Sequence, residues 1–187
     1  MKSIIMLSEY LKQNTANYHD TAEKIFQSHK IFSKTFTLED YKKIIYNNYL
    51  MLLHSEEQIF DLLNEKYGKK LQLENRKKFH LIEKDFLALQ MKNNTELSFH
   101  ISDEFEALGA MYVIEGSTLG GNVIAKQLSK TEGFEETSFY FFGCYQENTG
   151  LMWKNFKEFL DSQIKEESYN KVLSGAKKMY EFLINIG

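Results

Sequence analysis

Chemistry in this chain rests first on a histidine with charged company and on a run of glycines. His19 follows Lys12 by seven residues, nearly two helical turns or about 10 Å, so imidazole and ammonium would share one helix face. Glu23, four residues further on, could accept the proton of the second imidazole nitrogen, fix the tautomer and strengthen the other nitrogen as a metal ligand. Taken alone, a helical histidine with an i+4 glutamate is more often an ordinary surface pair. His29, His54, His80 and His100 lack such company and read as structural. None of the five histidines has a glutamate three residues before it, which removes the standard carboxylate-bridged di-iron bundle.

Gly116, Gly120 and Gly121 interrupt a stretch that otherwise reads as helix. Each costs a helix about 1 kcal/mol relative to alanine, so something is expected close to that backbone. The simplest reading is a tight helix crossing, since Gly109, Gly116 and Gly120 fall near one face by their seven- and four-residue spacings. A phosphate loop is rejected, because the cluster lacks both the G-x-G-x-x-G order and a Gly-Lys-Ser/Thr ending. A third reading lays a flat cofactor against the glycine face, leaving room for a small ligand and ordered water; it needs an iron ligand elsewhere. Cys144, the sole cysteine, reads as a small buried apolar side chain rather than a nucleophile.

The elements that must carry these residues are helical. Apolar positions Leu11, Tyr18, Ala22, Ile25 and Phe26 recur at helical spacing between residues 7 and 26. Thr37 is a capping hydroxyl ahead of Glu39 and Asp40, and the stripe from Tyr41 through Ile59 continues a long second helix to about Gly68. A third periodic segment spans 70–91, and Ser102 can cap a fourth that holds the glycines and runs to Leu128. The aromatic loop Phe139 to Tyr145 could include a short extended piece. Helices over about 147–163 and 168–185 complete the chain.

Proline is absent from the 187 residues, which fits long helices joined by short polar connections. Apolar residues at 43% supply a sizeable core, and no linker or repeat divides the chain, so one domain is expected. A net charge of −3 gives no global drive toward nucleic acid. The apolar start from Met1 to Leu7 is too short for a signal segment or membrane span, and one cysteine suits a reducing compartment, so a cytoplasmic location away from membranes is expected.

Two separated blocks give the chain a family resemblance. Leu11 to Glu23 (LKQNTANYHDTAE) and Ala107 to Ile124 (ALGAMYVIEGSTLGGNVI) resemble the proximal and distal helices of the haem oxygenases, specifically the bacterial biliverdin-producing branch associated with phytochromes. Phe141 to Phe156 (FFGCYQENTGLMWKNF) is similar to the same branch and stands in the same order. The resemblance implies an all-α, single-domain helical bundle over residues 1–187, with haem between a proximal and a kinked distal helix. It implies His19 as the proximal iron ligand, Glu23 as its hydrogen-bond partner, and Gly116 and Gly120, with Gly121 beside them, as backbone over the distal face. Lys12, Tyr112 and Lys154 become the haem-edge residues. Haem would be both cofactor and substrate, cleaved with O2 to biliverdin, carbon monoxide and ferrous iron, with electrons from an external ferredoxin, flavodoxin or reductase.

Some relatives carry an aspartate where this chain has Ser117; serine can hydrogen-bond distal water but supplies no carboxylate. Which meso carbon is attacked therefore stays open. Arg76 is the only arginine, so lysines would have to neutralise the propionates as point charges. Three other readings share these residues: a haem carrier or sensor that does not turn over, a related helical enzyme of thiamine breakdown needing a nucleophilic cysteine, and a helical interaction domain without cofactor.

Overall fold

Thr37 opens the longest helix of the molecule. Its hydroxyl accepts from the Asp40 N–H at 3.2 Å while the Asp40 carboxylate accepts from the Thr37 N–H at 3.0 Å, so two donors of the first turn are satisfied reciprocally. The structure is a computed structural model that describes residues 5–27 and 29–187; most of the apolar start, Met1 to Ile4, lies outside the described residues, as does Ser28.

Seven helices are formed among the described residues: α1 (Leu7–Ile25), α2 (His29–Phe32), α3 (Leu38–Leu71), α4 (Phe79–Ala88), α5 (Glu104–Leu128), α6 (Thr149–Gln163) and α7 (Tyr169–Ile186). Short 3₁₀ turns precede α4, α6 and α7, and no strand occurs among the described residues. Leu11, Ile31, Ile45, Ile82, Leu108, Phe156 and Met179, one from each helix, belong to a single hydrophobic cluster. The all-α, single-domain expectation is met.

Helix α5 is the axis of the bundle, packed by α7, α3 and α6. Where it crosses α7 the two backbones touch. A Cβ on Gly109 would overlap the Val172 carbonyl oxygen, and one on Gly175 would overlap that of Glu106. The tight-crossing reading therefore holds for Gly109, and the partner glycine is on α7.

Four local expectations need correction. Helix α3 runs one turn past Gly68 to Leu71 and ends at Gln72, whose left-handed φ of 51° breaks the ladder. The segment 70–91 is not one helix: a 3₁₀ turn over Leu73–Arg76 and extended backbone at Lys77 separate it from α4, turning Arg76 and Lys78 inward onto a buried carboxylate. Asp103, not Ser102, caps α5, its carboxylate accepting from Phe105 and Glu106 N–H at 3.0 Å. The aromatic loop has no extended piece; it is a run of turns in which the Phe139 carbonyl accepts from Gly143 N–H at 2.8 Å, and Asp85 accepts from Tyr140 and Phe141 N–H at 2.9 and 2.7 Å. Backbone hydrogen bonds that β-propensity would send to a strand partner go to a carboxylate instead.

Candidate functional site

Between α1 and α5 lies a cavity of about 600 Å³, within the about 300–1,000 Å³ span of small-molecule and cofactor sites. Lys12, His19 and Glu23 contribute the α1 wall, and Tyr112, Gly116, Ser117, Gly120 and Gly121 the α5 wall. Helical periodicity explains the first set: positions 12, 15, 16, 19, 20, 22 and 23 recur at three- and four-residue intervals, so one stripe of α1 faces the cavity while Leu7 and Leu11 turn into the core. A smaller cleft of about 250 Å³, lined by Asp20, Glu23, Lys24 and His29, shares two of these residues and lacks the apolar walls of the larger one.

His19 has room to turn. Its side chain is 57% exposed, with Nε2 3.8 Å from Glu23 Oε1 and Nδ1 3.8 Å from Asp20 Oδ1. Both distances exceed a hydrogen bond, so the ring can present either nitrogen to the cavity while the other approaches a carboxylate. One ligand atom from each of His19, Asp20 and Glu23 falls within 4.8 Å of the others. Asp20 is thus a second acceptor beside Glu23, and nothing in the i+4 pattern signals it.

Across the cavity the glycines divide by role. A Cβ on Gly120 would meet nothing within 4 Å, so its missing side chain is open cavity space. On Gly116 it would stand 3.5 Å from the Trp153 indole, an ordinary contact. On Gly121 it would come within 2.6 Å of the Phe142 ring, so that glycine admits the aromatic loop. Helix α5 continues through all three without a break. The Ser117 hydroxyl donates to the Ile114 carbonyl at 2.8 Å, which leaves its lone pairs as acceptors for anything in the cavity.

The remaining walls explain which polar residues can reach a ligand. Burial, with a smaller push from the Glu9 charge, raises the Tyr112 phenol to about 12, so it stays a neutral donor at physiological pH. From α6 it is Lys157, with Trp153, that lines the cavity; Lys154 does not, and its 69% exposed side chain pairs with Glu158 at 3.6 Å. One residue along α6 turns a side chain by about 100°. Arg76 is equally remote, 3% exposed and bonded to Glu115 and the Leu71 carbonyl. Asn48, 6% exposed and donating to the Ile44 carbonyl at 2.8 Å, brings α3 into the wall.

A histidine on one wall, open glycine backbone on the facing wall and lysines at the edge suit a flat metal-bearing ring. The family model described as "Heme oxygenase" matches residues 5–186. The chain belongs to the haem oxygenase family. A curated heme oxygenase of Xanthomonas campestris pv. campestris is 27% identical over 144 residues, covering 76% of this chain and 85% of that one. Among solved structures, the heme oxygenase of Neisseria meningitidis in its NO- and CO-bound forms matches with a TM-score of 0.71 at 18% identity, over 98% of this chain and 90% of that one. A heme oxygenase-1 from the cyanobacterium Synechocystis in complex with heme gives 0.73 at 14% identity over 97% and 90%. The heme oxygenase of Leptospira interrogans gives 0.73 at 20% over 97% and 98%.

Family membership carries the activity, oxidative opening of haem to biliverdin. Other chemistry at the conventional nucleophile is disfavoured, because burial pushes the Cys144 thiol up to about 11 despite the opposing charge of Lys78. Lys157, Asp20, Trp153, Phe142 and Asn48 are among the cavity residues that sequence reasoning missed. For Lys157 the available signal was its four-residue spacing from Trp153 on a common helix face.

Proposed function

We propose that this haem oxygenase family member seats haem with its iron toward His19 and its other face against Gly116 and Gly120. The single observation that carries this reading is the cavity that has the imidazole on one wall and a glycine with no neighbour within 4 Å of its missing Cβ on the other. Bound haem supplies the iron at which O2 is reduced and, as the substrate, the ring that is opened to biliverdin, carbon monoxide and iron. The protein's own residues do the positioning. His19 holds the metal through one nitrogen while Glu23, or Asp20 if the ring is turned, holds the proton on the other and raises its basicity as a ligand. Gly116 and Gly120 leave the opposite face open to a small ligand, where a larger side chain would obstruct it.

Ser117 accepts a hydrogen bond from water on that face, and Tyr112, a neutral donor on the α5 wall, joins Lys12 at the haem edge. Lys12 and Lys157, on different walls, neutralise the propionates as mobile point charges, a role for which Lys154 is poorly placed. Electrons come from a ferredoxin, flavodoxin or reductase, since the chain carries no flavin or nicotinamide motif of its own. A reducing cytoplasm, where such donors work, suits a chain with one thiol, and no helix among the described residues is long and apolar enough to cross a membrane.

Titrating haemin into the protein and into His19→Ala tests the seating. A saturable Soret band is expected for the unaltered chain, and at least about tenfold weaker binding for the variant, or about 1.4 kcal/mol. Equal affinity together with an unchanged Soret position would remove His19 as the ligand.

A further inference from the structure

Directly behind the glycine wall lies a buried cluster of charges that the reaction does not use. Glu115, 1% exposed, immediately precedes Gly116, and both its oxygens are engaged. Oε2 accepts from Arg76 Nη1, and Oε1 accepts from Lys78 Nζ and from the Tyr145 hydroxyl at 2.9 Å. The same cations reach further. Arg76 donates to the Leu71 carbonyl at 2.7 Å and to the Met152 carbonyl at 3.3 Å; Lys78 donates to the Arg76 carbonyl at 3.0 Å and to the Tyr145 oxygen at 2.8 Å. The Lys78 backbone N–H is held by Glu56 at 2.6 Å.

The bonds fall next to the cavity on two elements, on the Glu115 carboxylate of α5 and on the Met152 backbone carbonyl of α6. Glu115 is the neighbour of Gly116 on α5, and Met152 is the neighbour of Trp153 on α6. Gly116 and Trp153 face each other, a Cβ on the one lying 3.5 Å from the indole of the other. Arg76 bridges the two, with its guanidinium 5.5 Å over the Phe156 ring one turn along α6. Burying two cations and a carboxylate is costly in desolvation, and apolar residues of similar volume commonly serve stability as well or better. What such a cluster adds is a fixed geometry, because charged hydrogen bonds are directional and both Glu115 oxygens are committed.

We propose that Glu115 is a positioning residue: through Arg76, Lys78 and Tyr145 it fixes the separation of the Gly116 backbone from the Trp153 indole, and so the orientation in which the substrate ring lies. The orientation half of this inference rests on the haem reading given above; the wall half does not. Because Trp153 is the lone tryptophan, its fluorescence reports the wall in the haem-free protein.

Acrylamide quenching of Trp153 is measured in the haem-free protein, in Glu115→Gln, and in the charge-free triple variant Arg76→Met, Lys78→Met, Glu115→Gln, with the surface variant Glu158→Gln as control. At least a twofold rise in the quenching constant is expected for both cluster variants and none for the control. The triple variant should melt within a few degrees of the unaltered chain, which separates wall geometry from loss of fold. Should Glu115→Gln alone fail to fold, the triple variant decides. With haem and a reductant, the unaltered protein should give one biliverdin isomer and the triple variant a mixture. Unchanged quenching in a folded triple variant overturns the inference, and raised quenching with an unchanged isomer overturns its orientation half. Failure of the unaltered chain to bind haem would strike the reading of the site, while the quenching result would still decide the wall.

Discussion

At the scale of single residues the glycines of α5 show how one residue type serves several purposes within thirteen positions. Gly109 lets two backbones meet, Gly121 admits an aromatic ring, and Gly120 leaves cavity. Gly120→Ala should therefore keep or raise stability, by up to about 1 kcal/mol of helix propensity, read as an unchanged or higher melting temperature. Gly120→Leu should fold as well but fill the cavity, weakening haemin binding tenfold or more in the same titration. A variant that loses stability at Gly120, or binds haemin normally with leucine there, would place the distal wall elsewhere. Spacing alone put Gly109, Gly116 and Gly120 near one face without distinguishing them, because the partner that makes Gly109 indispensable, Gly175, lies 66 residues away in sequence. That His19, Glu23 and Lys12 share one face was legible from helical spacing, whereas their candidacy as a haem site came with the family resemblance. Asp20 and Lys157 were not legible: an adjacent residue carries no periodic signal of its own, and the four-residue spacing of Lys157 from Trp153 points to the cavity only once Trp153 is known to line it.

Helices and their ends follow from local chemistry where that chemistry is local. The stripes of α1, α3 and α7 and the Thr37 cap read directly from the chain. The break between α3 and α4 does not, because its reason is the burial of Arg76 and Lys78 against Glu115 on another helix. The aromatic loop was drawn toward a strand by its composition, whereas Asp85 of α4 takes up its N–H groups. Two predictions belong to this scale. Gly109→Ala must push α5 from α7 and should cost about 3 kcal/mol, read as a lowered chemical-denaturation midpoint, although the residue is outside the cavity. A midpoint within error of the unaltered chain would mean that the two helices pack more loosely than described.

The second concerns the α5 cap and pH. Burial opposes ionisation of Asp103, but the Glu106 N–H, Lys171 and the Phe105 N–H outweigh it and lower its pKa. The ionised cap therefore stabilises the fold above the ordinary carboxyl value of about 4, and that contribution is lost as pH falls through the lowered value. Asp103→Asn keeps an acceptor oxygen but no charge, so it should be less stable at pH 7 by about 1 kcal/mol or less, the deficit shrinking toward pH 3. Thermal melts across that range check it; a deficit constant from pH 7 to pH 3 would assign the loss to something other than the charge.

Taken as a whole, the molecule is one helical core with a cavity left along its central helix. The all-helical architecture was legible because proline is absent and the apolar stripes are long. The cavity was legible only through the resemblance of two blocks, since an unfilled volume leaves no mark in hydrophobic periodicity. The charge distribution is also a property of the whole: the sole arginine is used inside the fold, so the cavity edge is left to lysines. The central claim is that this cavity turns haem over rather than storing it. The most direct measurement is to load the protein with haemin, add a competent ferredoxin or flavodoxin reducing system under O2, and follow the absorption spectrum with an assay for released iron. Decay of the Soret band into a biliverdin spectrum with stoichiometric iron release is the predicted result; a Soret band that persists while the reductant is consumed would contradict it and make the protein a haem carrier.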